Sequence, residues 1–455
     1  MSSGHTRLDD ILGGGMVDPS IALVAGLPGS GKTVLAQQYA FANGTDDRPA
    51  IYLSTVAEPL SKILQFAEGL TYFDRARVGS SVLFEDLGAK VNDGGLDAAL
   101  ARITELIERR PCSVLIIDSF RALRYNTGDN RTFDAFIHEL AGRIGAVGTM
   151  ALWLGEYGRD ELERCPEFAV ADTAILLSSV ESGQRESRAI RVLKARGSSY
   201  RSGAHAYRIS TDGIDVFPRL SDASGSRYEL IRQRTPSGIA ALDELLLDGY
   251  WPGSATLVAG PTGCGKTVMG LQFVFQGAQR GEPGVYASLQ ENDVQLERMV
   301  EGFGWHVEEP NVLMRCTSPN DIYIDQWFYE LFDDIESVGA RRLVIDSLGD
   351  LAAACDDEKR FREFVYSVLS RCSRAGISTV VTFETPELYG HTRLSERGVS
   401  HLSDNVILLQ YLRDQESLSR AMTVLKTRAS RHLPQTHEFE ITQDGIHVGK
   451  PVNAV

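Results

Sequence analysis

Two stretches carry the residue types that can grip a polyphosphate: GLPGSGKT at 26–33 and GPTGCGKT at 260–267. Each follows a short apolar run and opens a helical pattern. Gly26, Gly29, Gly31, Gly260, Gly263 and Gly265 let the backbone N–H groups, with those of Ser30, Thr262 and Cys264, wrap an anion at a helix N-terminus. Lys32 and Lys266 then reach the β and γ phosphates, and the Thr33 and Thr267 hydroxyls hold Mg²⁺. Cys264 reads as a small filler of its loop rather than a redox switch. A single match of this kind arises by accident; two at corresponding places in one chain point to nucleotide binding, with ATP and Mg²⁺ as the expected ligands.

Three further features lie close to these loops in pattern. Asp118 and Asp346 end the apolar runs of IIDS (116–119) and VIDS (344–347), where an acid orients a magnesium shell or else caps the next helix. Glu291, beside Gln290 in YASLQEND, is either the base of an active site or a helix cap. In AIRVLKAR and AMTVLKTR, strand alternation puts Ile190, Val192, Lys194 and Arg196 on one face, and Met422, Val424, Lys426 and Arg428 on another. Each strand is then doubly cationic at its tip: two solvated charges, or a γ-phosphate clamp worth about 10³ to 10⁵ in rate.

The elements that must position these residues repeat. LDDILGGG near the start answers LDELLLDG in the second half, displaced by 234 residues like the phosphate loops; IIDS and VIDS are 228 apart, VLKAR and VLKTR 232. Small loop insertions account for the drift. The chain is thus a duplicated domain, with expected bounds 1–222 and 237–455 and the turn-rich segment 223–236 as linker. Strands read as IALVA, AIYLS, VLIID and TMALWL in the first half, and as TLVAG, VYASL, RLVID and STVVTF in the second. Between strands, LDAALARITELIERR sets Leu96, Leu100, Ile103 and Ile107 on one helical face, with Pro111 closing the helix. Alternating strand and helix predicts an α/β fold: two tandem P-loop domains, each a mostly parallel sheet flanked by helices, with ligands at the carboxyl ends of the strands.

Composition narrows the partners. With 61 acidic against 46 basic side chains the net charge is −15, which repels phosphate backbones and lipid headgroups, and no basic run offsets it. No nucleic-acid or membrane partner is expected. The six cysteines form no CxxC pair, and there is no apolar run long enough for a membrane span, so reduced thiols and a cytoplasmic location are expected.

Together, the tandem LD…GG entries, phosphate loops, IDS strands and VLKxR endings resemble the KaiC family, two-domain RecA-like ATPases of the cyanobacterial clock and their relatives. The resemblance spans nearly the whole chain. It implies a homo-hexameric double ring with ATP at subunit interfaces, signalling-protein partners, and Lys194, Arg196, Lys426 and Arg428 acting on the adjacent subunit's ATP. In that family a Glu-Glu pair after the second strand of each half supplies the base. Here Val56 and Ala57 occupy the pair in the first half, with Glu58 one residue late, and Gln290 and Glu291 occupy it in the second. An amide accepts no proton, and a one-residue slip turns a strand side chain to the other face. General-base help is worth about 10² to 10⁴ in rate, so slow hydrolysis is expected, with Glu291 the better base.

The family's second half phosphorylates itself on an adjacent Ser-Thr pair. In GVSHLSDNVILLQY, Ser400 and His401 hold that place with Ser403 nearby, which leaves Ser400 as the candidate acceptor or a plain surface serine; EFAVADTAILL in the first half offers none. The chain stops at HVGKPVNAV, without the tail that the family's activating partner grips. The expectation is an oligomeric, KaiC-like ATPase and serine autokinase acting as a nucleotide-timed switch outside a full oscillator. A RecA- or RadA-type DNA recombination ATPase and an ATP-bound scaffold without turnover are the alternatives.

Overall fold

A computed structural model describes the chain except residues 56–59, 127–129, 163, 183–184, 221–232, 319–321, 356–357, 387–400, 414–417, 429 and 453–455. The chain divides into two compact units, Met1–Arg219 and Leu220–Val455. In the first, the strands are β1 (Ile21–Gly26), β2 (Ala50–Ser54), β3 (Val82–Asp86), β4 (Val114–Asp118), β5 (Met150–Gly155), β6 (Thr173–Ser182), β7 (Arg185–Ala195), β8 (His205–Ser210) and β9 (Gly213–Phe217). They form one sheet in the order β3-β2-β4-β5-β1-β6-β7-β8-β9, parallel through β6 and antiparallel beyond it.

The second unit repeats this plan with β10 (Ala255–Gly260), β11 (Gly284–Ser288), β12 (Val312–Cys316), β13 (Arg342–Asp346), β14 (Ser378–Glu384), β15 (Asn405–Arg413), β16 (Leu418–Thr427), β17 (Thr436–Thr442) and β18 (Gly445–Pro451). Its order is β12-β11-β13-β14-β10-β15-β16-β17-β18. Each is the mostly parallel α/β sheet that the alternation of the sequence implies.

The central strands are apolar throughout because both their faces are covered. In the first unit one core gathers Leu35 and Tyr39 of the helix Lys32–Asn43 against Val24, Ile116 and Leu152. The other gathers Ile103 and Ile107 of the helix Gly88–Arg109, with Phe136 and Ile137, against Leu23, Ile117 and Trp153. Leu96, Leu100, Ile103 and Ile107 are all buried, as their spacing predicts, but the helix begins earlier and breaks at Gly94 and Gly95, where a φ of 66° at Gly95 suits a residue without Cβ. The sequence reading omits β3 and β12, and also β6, β8, β9, β15 and β18. β3 and β12 are edge strands, half buried with charged residues in them, so neither alternates cleanly.

Candidate functional site

Both phosphate loops fold alike because the chain must turn from a buried strand into a helix within a few residues. Gly31 and Gly265 precede the helices Lys32–Asn43 and Lys266–Ala278 with φ of 85° and 104°. A Cβ at either would also press on an isoleucine, Ile209 in the first unit and Ile441 in the second, at 2.7 and 2.9 Å. Behind the loops, Ser30 and Cys264 occupy the same buried place. Burial pushes the Cys264 thiol up, which disfavours the reactive thiolate and suits a filler.

Each lysine turns back onto its own loop. Lys32 Nζ donates to the Gly26 and Leu27 carbonyls, both at 2.9 Å, and Lys266 Nζ to the Pro261 carbonyl at 2.9 Å. Burial lowers the Lys32 ammonium, opposed by Glu156 and then Asp118. The neighbouring threonines face the acids that end the next strand but one. Thr33 Oγ1 donates to Asp118 Oδ2 and Thr267 Oγ1 to Asp346 Oδ2, each at 2.8 Å.

A tyrosine from β2 or β11 completes the corner: Tyr52 donates to Asp118, and Tyr286 to Asp346 at 2.7 Å. Both phenols are raised well above the ordinary range, by burial first and the adjacent carboxylate next. Sequence reasoning missed these tyrosines; their matched places in AIYLS and GVYAS were the available signal. Asp346 is no helix cap, since Ser347 holds the N-cap of the helix Leu348–Ala353.

One hydroxyl paired with one carboxylate in each half is a hard-oxygen donor set, suited to Mg²⁺, which keeps several waters and takes phosphate oxygens as further ligands. Among the described residues no cluster of three His, Cys, Asp or Glu offers a complete protein cage. In the first unit the loop opens on a cavity of about 420 Å³ lined by Gly29, Lys32, Thr33, Asp118, Ser119 and Glu156 among others.

Strand register brings the second-half corner together. Ser288, at the end of β11, lies opposite Asp346 of β13, and Glu291 follows three residues later. Glu291 does not cap the helix Asp293–Gly302. That place belongs to Asn292, whose side chain accepts from Gln295 N in a reciprocal capping box. Burial, then Asp346 and Asp350, raises the Glu291 carboxyl. Gln290 Nε2 reaches Ser347 Oγ at 3.5 Å. Glu58 and Ser400 lie outside the described residues.

The basic strand tips differ from the expected pattern. β7 pairs with β6 through Ile175↔Val192 and then Ala174↔Lys194, so Leu193 is bulged out; Leu425 is bulged likewise in β16. The bulge breaks the alternation, and Lys194 and Lys426 do not continue the buried face of Ile190 and Val192 or of Met422 and Val424. Lys194 Nζ donates instead to the carbonyls of Phe168, Ala169 and Ala171, and Lys426 Nζ to that of Ser403 at 2.7 Å. Arg196 pairs with Asp172 at 3.4 Å, and Arg428 with Asp404 at 3.7 Å and the His401 carbonyl at 2.6 Å.

Register also fixes which edge of the sheet these cations occupy. Lys194 lies level with Ala174 and, across β6, with Leu23, whereas the phosphate loop begins past Gly26 at the other end of β1. Lys426 stands in the same relation to Gly260. Within one unit, the basic tips and the loop are at opposite edges.

A different pair of arginines, unread in the sequence, touches each loop. Arg188 Nη1 donates to the Gly29 carbonyl at 2.9 Å and Arg420 Nη2 to the Gly263 carbonyl at 3.4 Å. Their common spacing with the VLKxR tips was the signal.

Two mostly parallel sheets, each with a phosphate loop, a threonine–aspartate pair and a helix-flanked core, define a tandem RecA-like P-loop ATP-binding protein. The profile of the KaiC ATPase family matches residues 1–221 and again 235–453, and the chain belongs to that family. It is 28% identical to the circadian clock oscillator protein KaiC of Picosynechococcus sp., over 97% of this chain and 88% of that protein. It is 29% identical to the protein of the same name from Thermostichus vulcanus, over 97% and 87%. The circadian clock protein KaiC3 of Synechocystis sp. is 27% identical, over 100% and 92%.

Proposed function

We propose that this KaiC-family protein is a slow, Mg²⁺-dependent ATP hydrolase with an ATP site in each half, assembled as a homo-oligomeric ring and read by partner proteins as a nucleotide-timed switch. The observation that carries the reading is the same lysine, threonine, aspartate and tyrosine corner at the carboxyl ends of both sheets. Bound Mg²⁺ would neutralise charge on the β and γ phosphates beside Thr33 and Asp118, or Thr267 and Asp346. Lys32 and Lys266 exchange their loop carbonyls for phosphate oxygens. Glu291 accepts a proton from water in the second half when ionised, and in the first Glu58 falls one residue past the corresponding place.

Lys194, Arg196, Lys426 and Arg428 serve the ATP of a neighbouring subunit. Their place at the edge of the sheet opposite their own loop supports that role; a hexamer is the ring size the resemblance implies. The second half transfers phosphate to Ser400 as a secondary reaction. Incubation with γ-labelled ATP and Mg²⁺, followed by separate measurement of free and protein-bound phosphate on each size-fractionated species, tests the whole reading. Free phosphate from an oligomer is expected; tight ATP occupancy with neither product would leave a scaffold.

A further inference from the structure

One carboxylate faces the first-half phosphate site from an element that no motif marks. β5 lies between β4, which ends in Asp118, and β1, which ends at the loop. Its register sets Leu154 against Asp118 and Gly155 against Ala25, so Glu156 emerges at the sheet edge between the metal corner and the lysine. Glu156 lines the cavity together with Lys32, Thr33 and Asp118, and it is the foremost charge favouring the Lys32 ammonium.

Its backbone is pinned while its carboxylate is open to water. Arg121 donates to the Glu156 carbonyl and forms a two-point pair with Glu161, with bonds of 2.7 and 2.6 Å. The next residue, Tyr157, is buried and donates to Glu167 at 3.1 Å. Glu156 itself is exposed, and among the described residues its carboxylate has no hydrogen-bond partner. The second half repeats the arrangement: Glu384 ends β14 opposite Gly260, and its Oε2 lies 3.9 Å from Lys266 Nζ. Glu156 and Glu384 are 228 residues apart, the same displacement as Asp118 and Asp346.

We propose that Glu156 is the proton acceptor for ATP hydrolysis in the first half, where Val56 and Ala57 stand at the family's paired-glutamate position, and that Glu384 shares this role with Glu291 in the second. The assignment rests on the ATPase reading above. Once phosphate takes the lysine, a carboxylate that lines the same cavity as the ammonium is placed to hold a water against the terminal phosphoryl group. The water oxygen bonds to the γ-phosphorus as the bond to the β–γ bridging oxygen breaks, and that electron pair leaves with ADP. The water proton passes to the Glu156 carboxylate and from there to solvent, so no other reactant is required.

The test uses the full chain carrying Lys266→Ala, which leaves the first half as the working site, with and without Glu156→Gln. Binding is read with the fluorescent analogue mant-ATP and turnover by phosphate release. Glu156→Gln is expected to cut release by about 10²-fold or more while mant-ATP binds as tightly or more tightly, and Glu156→Asp to retain an intermediate rate. Release within about threefold of the parent overturns the proposal, and tighter binding with an unchanged rate reduces Glu156 to a counter-ion of Lys32. If Glu156→Gln binds no mant-ATP, Glu384→Gln in a Lys32→Ala chain decides, with a fall of at least about tenfold required. A parent that binds mant-ATP but releases no phosphate fails the ATPase reading itself, an outcome distinct from the loss of this one assignment.

Discussion

The two halves shape their phosphate loops in the same way and differ around them. In the first, Asp118 is half exposed and accepts from Thr33 and Tyr52. In the second, Asp346 is buried and accepts from Thr267 and Tyr286 and, through Oδ1, from Thr382, whose place on β5 is taken by Leu154. The first half has Val56 and Ala57 where the second has Gln290 and Glu291. The phosphate loops, the threonine–aspartate–tyrosine corners and the carboxylates Glu156 and Glu384 are thus duplicated, while the residues after the second strand are not. Binding tolerates little change because every donor is fixed by the loop backbone, whereas loss of a base slows a reaction without abolishing binding.

The largest effect expected is one the halves share. Replacing Lys194 and Arg196 by alanine should lower first-half phosphate release by about 10³-fold or more with mant-ATP binding kept, and Lys426→Ala with Arg428→Ala should do the same to the second. Mixing the first double variant with a Lys32→Ala chain should restore turnover in mixed oligomers, because intact tips then face an intact loop; no recovery would break the trans assignment.

Next comes an effect that separates the halves. Glu291→Gln should cut release from the second half, measured in a Lys32→Ala chain, by about 10²-fold, and a fall of less than about twofold would remove Glu291 from the reaction. Burial and the nearby Asp346 and Asp350 raise this carboxyl, so it takes up its proton at a higher pH than an ordinary glutamate. A base works only when ionised. Second-half release should therefore decline on acidification while still above the ordinary glutamate range, measured as phosphate release against pH in a Lys32→Ala chain.

Smaller still, Lys32→Ala and Lys266→Ala should each weaken mant-ATP binding at their own site by about 10- to 100-fold, the worth of charge-assisted hydrogen bonds. The smallest test concerns Asp346. Thr382→Val removes one hydrogen bond worth about 1 kcal/mol, so the Mg²⁺ needed for half-maximal release by the second half should shift by about fivefold, whereas Leu154→Val in the first should leave it in place.

Much of this is legible in the sequence. The loops at 26–33 and 260–267 need only local backbone geometry, so spacing revealed Lys32, Thr33, Lys266 and Thr267. The buried strands show as apolar runs because both sheet faces are covered, and β3 and β12 were missed because an edge strand does not need such a run. Asn292 displaced Glu291 as the helix cap through a reciprocal bond with Gln295, a pairing the sequence contains but that was not read there.

What the sequence determined by itself was the duplication, the fold class and the two loops that turn from strand into helix, since these depend on periodicity and on contacts within a few positions. Tertiary structure alone decided the rest. A bulge at Leu193 and at Leu425 turned the basic tips off the buried face, and strand register set them at the edge away from their own loops. Strand order put Glu156 beside Lys32, residues far apart in the chain, because β5 is inserted between β4 and β1. Such neighbours are made by hydrogen bonding between strands, and no spacing along the chain encodes them.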